Sequence, residues 1–186
     1  MLSGNKIKSE IESNRIQVMP FMDDMINPGS INVTLHDVLL VPERRILDAA
    51  IDNKFESMTI PAEGFQLQPD TLYLGRTREW VHAPYHVPIY DGRSSMARLG
   101  LFSHITAGFG DRGFQGYFTL ELAVVQPLRI YPNMRIGQIR FEEIDGAGPV
   151  YQGKYNNSVD PDALPMTSQI WRELAHVREL KPPQGT

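Results

Sequence analysis

Cysteine is absent from this chain of 186 residues, and histidine is scarce. The absence of cysteine excludes disulfide bonds, and it excludes the cysteine-ligated zinc sites with which one large class of enzymes activates water. Among the five histidines, only His82 and His86 have metal-ligand spacing, and Pro84 prevents the helix that would place both on one face. We therefore expect no zinc site.

Long apolar runs and long basic runs are missing as well. No stretch of about eighteen apolar residues occurs, and residues 1–6 lack the apolar segment of a signal peptide. We therefore expect a soluble, cytoplasmic protein without a membrane partner. Acidic residues exceed basic residues by 22 − 18 = 4, which disfavours a nucleic-acid polymer as partner. The composition still allows a local basic pocket that binds a small anion.

Turn-forming residues, in contrast, are abundant, with 14 prolines and 15 glycines. This pattern is typical of short strands joined by turns, and we predict a single all-β domain over residues 1–186 with short helices only. An amphipathic helix is expected at about 6–14, with Lys8, Glu10 and Glu12 on its solvent side. A tail is expected at about 151–186, including a helix at 168–180. Strands are predicted at 31–36, 64–68, 71–74, 79–82, 87–90, 117–125 and 136–144.

The clearest predicted strand covers residues 117–125. Its alternation places four apolar side chains on one face, those of Phe118, Leu120, Leu122 and Val124. Glu121 lies on the opposite face, together with Thr119. A lone glutamate in this position is either a solvated surface carboxylate or a general base.

A second pattern indicates an anion-binding turn at residues 91–101. Asp91-Gly92 ends a strand, Ser94 is the expected N-cap of a helix, and Gly100 is suited to a left-handed stop. A short helix would then present its N-terminus, two hydroxyl groups and a flanking arginine to a phosphate. The alternative is an ordinary capped turn with solvated arginines.

Four blocks of sequence follow one another in order. They are Gly92-Arg93-Ser94-Ser95-Met96-Ala97-Arg98-Leu99-Gly100-Leu101, residues 106–116, Thr119-Leu120-Glu121-Leu122 and residues 132–138. In order and spacing they resemble the dCTP deaminases and the bifunctional dCTP deaminase/dUTPases of the trimeric dUTPase-like superfamily. The resemblance implies a distorted β-barrel or jelly-roll subunit, assembled as a homotrimer with active sites at subunit boundaries.

The resemblance also implies roles for individual residues. Glu121 would take a proton from the water that attacks C4 of cytosine, and Arg98 would lie against this carboxylate. Ser94 and the carbonyl group of Ala107 would orient the water. Mg²⁺ would arrive with the nucleotide, bound by phosphate oxygens more than by protein ligands. The implied nucleotide contacts are Arg93, Ser94, Ser95, Met96, Ala97, Arg98, Asp111, Thr119, Leu120, Glu121, Gln138, Tyr151, Lys154 and Ser158.

Our first interpretation is a zinc-independent dCTP deaminase, a hydrolase that forms dUTP and ammonia in pyrimidine deoxynucleotide metabolism. The residues Thr-Ala-Gly-Phe at 106–109 are, however, more similar to the bifunctional enzymes than to the strictly deaminating ones, which tend to have His-Arg after the alanine. A bifunctional enzyme that forms dUMP and diphosphate is the alternative. A plain dUTPase and a catalytically silent nucleotide-binding protein also remain open. So does the number of phosphates in the substrate, because Ser158 replaces the usual glutamine.

Overall fold

The chain folds mainly into β-strands, as predicted. The computed structural model describes residues 1–146, 148–156 and 160–174. The elements are α1 (Gly4–Glu12), β1 (Gln17–Met19), β2 (Ile31–Thr34), β3 (Val38–Pro42), β4 (Phe55–Thr59), β5 (Phe65–Leu67), β6 (Tyr73–His82), β7 (His86–Gly92), α2 (Ser94–Ala97), β8 (Leu101–Phe102), β9 (Gln115–Val124), β10 (Leu128–Ile130) and β11 (Arg135–Glu143). Short 3-10 helices occur at Asp23–Met25 and Ile170–Arg172.

The strands of the described residues form three antiparallel sheets. The largest has the order β4-β3-β6-β9-β8, with β1 also pairing along β6. The second has the order β2-β11-β7, and the third pairs β10 with β5. A single hydrophobic core joins the two larger sheets to helix α1, and its members include Ile7, Val33, Leu39, Val81, Leu120 and Ile139. The all-β class predicted from the sequence is confirmed.

Strand β9 shows the alternation predicted for it. Leu120 is fully buried, whereas Thr119 and Glu121 are half-buried on the opposite face. The strand lies inside the largest sheet, between β6 and β8, and Thr119 is paired with Arg76 of β6. Because β9 is paired with β6 along most of its length and with β8 at its end, its polar face is a rigid support for functional side chains.

Helix α1 begins and ends two residues earlier than predicted, and Ser3 caps it through a hydrogen bond from the amide of Lys6. The prediction that Glu10 faces solvent is wrong, since the residue is only 4% exposed. Glu10 forms ion pairs with Lys6 at 2.7 Å and with Arg15 at 2.8 Å, and it lies 3.6 Å from His86. Two of these three neighbours, Arg15 and His86, lie outside the helix. The helical periodicity gives no information about them, although they help to make this burial possible.

Strand β6 joins two strands that the sequence predicts separately, at 71–74 and 79–82. The residues between them, Gly-Arg-Thr-Arg, suggest a turn, but they form a bulge in the pairing with β9. The hydroxyl group of Thr77 donates to the carbonyl of Glu79 at 2.9 Å and accepts from the amide of Phe118 at 3.1 Å. Because these polar groups are satisfied inside the sheet, the strand continues through them.

Five short strands, β1, β3, β4, β8 and β10, are not among the predicted ones. They have five residues or fewer, which is too short for a clear alternation. Only a 3-10 turn at Ile170–Arg172 is found in the described part of the helix predicted at 168–180, and residues 175–180 lie outside the described residues. No helix in the described ranges is long and apolar enough to cross a bilayer.

Candidate active site

A pocket of about 810 Å³ opens on the polar face of β9. This volume is in the range of small-molecule sites. Strand β9 contributes Tyr117, Thr119 and Glu121 to its wall. The other walls come from residues within three stretches of chain, at 107–111, 47–55 and 151–170, and from Leu72, Leu74 and Phe114.

Glu121 faces this pocket. Its side chain is half-buried, and its Oε2 accepts a hydrogen bond from the backbone amide of Ile105 at 3.1 Å. A backbone donor therefore orients the carboxylate while it remains accessible to a ligand in the pocket. This is an arrangement that suits a general base.

The stretch 107–111 carries two further predicted site residues, Ala107 and Asp111, both of which line the pocket. It is attached to β7 by a hydrogen bond of 2.7 Å from the amide of Tyr90 to the carbonyl of Gly108. A Cβ atom at Gly108 would lie 2.3 Å from the backbone oxygen of Tyr90. Position 108 therefore requires glycine in this conformation.

The two residues before Glu121 have different contacts. Thr119 lines the pocket, and its hydroxyl oxygen accepts a hydrogen bond of 3.0 Å from the amide of Met166. Leu120 is fully buried in the hydrophobic core on the opposite face. Any nucleotide contact of Leu120 is thus restricted to its backbone.

The serine–arginine turn does not line this pocket. Helix α2 has only four residues, and its N-cap is Arg93, not Ser94 as predicted. The carbonyl oxygen of Arg93 accepts hydrogen bonds from the amides of Met96 and Ala97, at 2.9 and 3.0 Å. These two amides are therefore unavailable to an anion.

The side chains of the turn point in different directions. Met96 is buried in the core, which limits it to a backbone contact. Gly100 has a φ of +80°, as expected for the left-handed stop. Ser94, Ser95, Ala97 and Arg98 are exposed, and Arg93 is half-buried. The turn thus offers its hydroxyl groups and its arginines outward, away from its own core.

Gln138 belongs with this turn and does not line the pocket of Glu121. Its Oε1 accepts a hydrogen bond from the hydroxyl group of Ser30 at 2.9 Å, and its Nε2 donates to the carbonyl of Gly92 at 3.5 Å. Both ends of the amide are therefore bonded inside the sheet.

The three tail residues that were predicted to contact the nucleotide do not lie together. Tyr151 lines the pocket, and its amide donates to the carbonyl of Arg112 at 2.8 Å. Lys154 is paired with Glu173 at 2.5 Å, and the hydrogen bond to Glu173 raises the pKa of Lys154. Ser158 lies outside the described residues.

Sequence reasoning missed the contribution of residues 47–55 to the pocket. This stretch is closed by two hydrogen bonds between Asp48 and Asn53, of 3.0 and 2.8 Å. The Asp and Asn residues are turn formers, but they do not indicate which surface the turn covers. With Asp111 and Glu121, Asp48 makes the pocket acidic, and no Lys, Arg or His is among the described residues that line it.

The fold is found in a solved structure. The crystal structure of 2′-deoxycytidine 5′-triphosphate deaminase from Agrobacterium tumefaciens superimposes with a TM-score of 0.61 at 17% sequence identity. The match covers 75% of this chain and 46% of that chain, so this chain spans about half the length of the solved one. At this identity the similarity shows the fold alone.

The sequence comparisons identify the family. The family model described as dCTP deaminase-like matches residues 1–144. A protein of Hathewaya histolytica named dCTP deaminase, dUMP-forming, is 50% identical over 167 residues, covering 88% of this chain and 96% of that protein. A protein of Rhodopirellula baltica named dCTP deaminase is 47% identical over 161 residues, covering 86% of this chain and 81% of that protein. The chain therefore belongs to the dCTP deaminase-like family of enzymes.

Proposed function

We propose that the chain is a dUMP-forming dCTP deaminase, which converts dCTP and two waters into dUMP, ammonia and diphosphate. The observation that favours dUMP over dUTP as the product is the glycine at position 108. The close approach to Tyr90 leaves no room for a side chain there, whereas the strictly deaminating enzymes tend to have a histidine at this point. The name of the Hathewaya relative agrees with this choice.

For deamination we propose Glu121 as the general base. It would take a proton from a water held near the carbonyl group of Ala107, and the resulting hydroxide would attack C4 of the cytosine ring. The proton would then be delivered to the ring or to the departing ammonia. A general base of this kind contributes roughly 10²–10⁴ in rate.

For the second step we propose that another water attacks the α-phosphorus and that the bond between the α- and β-phosphates breaks, releasing diphosphate. Asp111 and Glu121 both line the pocket. Either carboxylate is available to orient this water. Asp111 is also the residue that we propose for the 3′-hydroxyl group of the sugar.

The phosphates need positive charge, which the described wall of the pocket does not supply. Arg93 and Arg98 face outward from a turn that does not line this pocket. We therefore propose that the turn of a second copy, in a homotrimer, brings its arginines and serine hydroxyls to the pocket of the first. Glu121 and Arg98 would then meet across the subunit boundary.

Magnesium is proposed as part of the substrate. The described residues contain no group of three or more Asp, Glu, His or Cys side chains arranged to hold a metal ion. Mg²⁺ commonly retains waters and binds through substrate phosphates, with one or two carboxylates in addition. We expect it to enter with dCTP.

The test is a product analysis with purified protein, dCTP or dUTP, and Mg²⁺. We expect ammonia, dUMP and diphosphate in equal amounts from dCTP, with no accumulation of dUTP. Accumulated dUTP with ammonia would restore the deaminase-only interpretation. Diphosphate from dUTP alone would indicate a dUTPase, and binding without any product would indicate a silent protein.

Replacing the base tests its role directly. We expect Glu121→Gln to lower ammonia release by at least about 10²-fold, because the amide cannot accept the proton from water. Nucleotide binding, measured by calorimetry, should persist. Glu63→Gln is the matched control, since Glu63 is exposed and does not line the pocket. Undiminished ammonia release by Glu121→Gln would remove Glu121 from the mechanism.

A further inference from the structure

Arg76, in the bulge of β6, is a buried cation whose partners are neutral. The residue is 1% exposed, and no ion pair to it is found within the described residues. One Nη atom donates to the carbonyl of Thr77 at 3.0 Å, and the other donates to the carbonyl of Pro161. The guanidinium carbon lies 4.0 Å from the centre of the Tyr117 ring.

Burying a guanidinium group is costly unless hydrogen bonds, aromatic faces or charges replace its hydration. The burial lowers the pKa of Arg76, and Tyr117 and nearby acidic residues, including Asp160 and Asp162, oppose this shift. Asp160, Pro161 and Asp162 belong to one stretch of chain, so a single segment supplies a hydrogen-bond acceptor and negative charge. Withdrawal of that segment would remove the acceptor at Pro161 and two nearby negative charges, and would leave the carbonyl of Thr77 and the charge of Asp37.

The same segment is attached at a second point. The amide of Met166 donates to the hydroxyl group of Thr119 at 3.0 Å, and Thr119 is the partner of Arg76 across the β6–β9 pairing. Two side chains on neighbouring strands therefore hold residues 160–170, which we call the wall segment. Met166, Thr167, Ser168 and Ile170 of this segment line the pocket of Glu121.

We propose that Arg76 is a positioning residue that holds the wall segment against β9 and so completes one side of the nucleotide pocket. It acts through the segment and does not line the pocket itself. Part of the test below rests on the proposed function, because it uses dCTP turnover, and the other part does not.

The first measurement is hydrogen–deuterium exchange of the full-length protein by mass spectrometry. In Arg76→Met, which keeps a long side chain and removes the donors and the charge, we expect the amides of residues 160–170 to exchange about tenfold faster. The amides of β9 should keep their protection. Arg78→Met is the matched control, because Arg78 is exposed on the same strand and bonds to Asn133.

The second measurement is steady-state kinetics with dCTP. If the wall segment is in place for only a fraction of the time, the apparent dissociation constant of the nucleotide is the intrinsic constant divided by that fraction. We expect KM to rise about tenfold in Arg76→Met while kcat stays within about twofold. Arg76→Lys, which keeps the charge and a single donor nitrogen but loses the planar fork, should fall between the wild type and Arg76→Met in both measurements.

The outcomes separate this proposal from the proposed function. Faster exchange of the wall segment in Arg76→Met would support the role of Arg76 even if the wild type did not turn over dCTP. The absence of wild-type turnover would contradict the proposed function alone. Turnover with unchanged exchange in a folded Arg76→Met would overturn the role of Arg76. A fall in kcat at constant KM, or loss of protection throughout the sheet, would also overturn it. If Arg76→Met does not fold, the exchange of Arg76→Lys decides in the same way.

Discussion

A single glycine shows how closely the strands approach each other near the site. Gly137 on β11 lies against the ring of Tyr90 on β7, and a Cβ atom at position 137 would be 2.2 Å from the hydroxyl oxygen of that ring. Tyr90 is 1% exposed, so its ring is enclosed by the protein. The backbone amide of Tyr90 also donates a hydrogen bond to the carbonyl of Gly108. The packing of Gly137 against Tyr90 is therefore connected to the stretch that contains Ala107.

We expect Gly137→Ala to destabilise the protein by about 1–3 kcal/mol, the usual cost of overpacking a buried site. Urea unfolding checks this value. Gly148→Ala is the control, because no atom lies within 4 Å of a Cβ atom placed at Gly148. If Gly137→Ala unfolds at the same urea concentration as the wild type, position 137 has room for a methyl group and the close contact with Tyr90 is contradicted.

At the scale of an element, helix α1 contains a buried carboxylate, that of Glu10, which pairs with two nearby cations. Glu10 accepts hydrogen bonds from Lys6 and from Arg15. These bonds, that from Lys6 first, hold the pKa of Glu10 below its usual value, although burial acts in the opposite direction. Burial lowers the pKa of the neighbouring His86. The ion pairs thus stabilise the helix and the turn that follows it, whereas the burial of Ile7 attaches the helix to the core.

The lowered pKa of Glu10 leads to a pH-dependent prediction. Stability from this carboxylate is fully present above the pKa of an unfolded glutamate, about 4.3, and is lost as the pH falls through the lower folded value. We expect Glu10→Gln to reduce the free energy of unfolding by about 1–3 kcal/mol at pH 7. Below about pH 4 the difference from the wild type should shrink.

Urea titrations between pH 7 and the lowest pH at which both proteins remain folded measure this difference. Glu12→Gln is the control on the same helix, because Glu12 is exposed. We expect the control to change the stability by less than about 0.5 kcal/mol. A difference between wild type and Glu10→Gln that does not vary with pH would contradict the role of the charge.

At the scale of the whole molecule, the predicted site residues divide into two groups. Ala107, Asp111, Thr119, Glu121 and Tyr151 line one pocket, whereas the serine–arginine turn and Gln138 lie outside it. A homotrimer in which each pocket receives the turn of a neighbour would unite the groups. This expectation can be tested by mixing subunits.

We expect Glu121→Gln and Arg98→Ala each to lose at least about 10²-fold in ammonia release when assembled alone. Co-refolded in equal amounts, they should recover about a quarter of the wild-type activity, because one site in four then combines an intact pocket with an intact turn. The separately folded proteins, mixed without refolding, are the control. Activity that stays at the level of the single variants would mean that each site is built within one chain.

Local features of the site were predictable from the sequence. The alternation along β9 is a property of neighbouring residues, so it is enough to place Glu121 on the polar face and Leu120 in the core. The left-handed stop at Gly100 is likewise local. The four ordered blocks were sufficient to indicate the family.

Only the tertiary structure decided which distant segments meet. Residues 47–55 and the wall segment are far apart in the sequence but both line the pocket, and no periodicity indicates such a meeting. Glu10 and Arg76 look like surface charges in the sequence but are buried, because some of their partners come from other parts of the chain. These partners are Arg15 and His86 for Glu10, and Tyr117 and Pro161 for Arg76. Whether a polar side chain can be buried depends on the hydrogen bonds and charges around it in space, and that environment is created only when the chain folds.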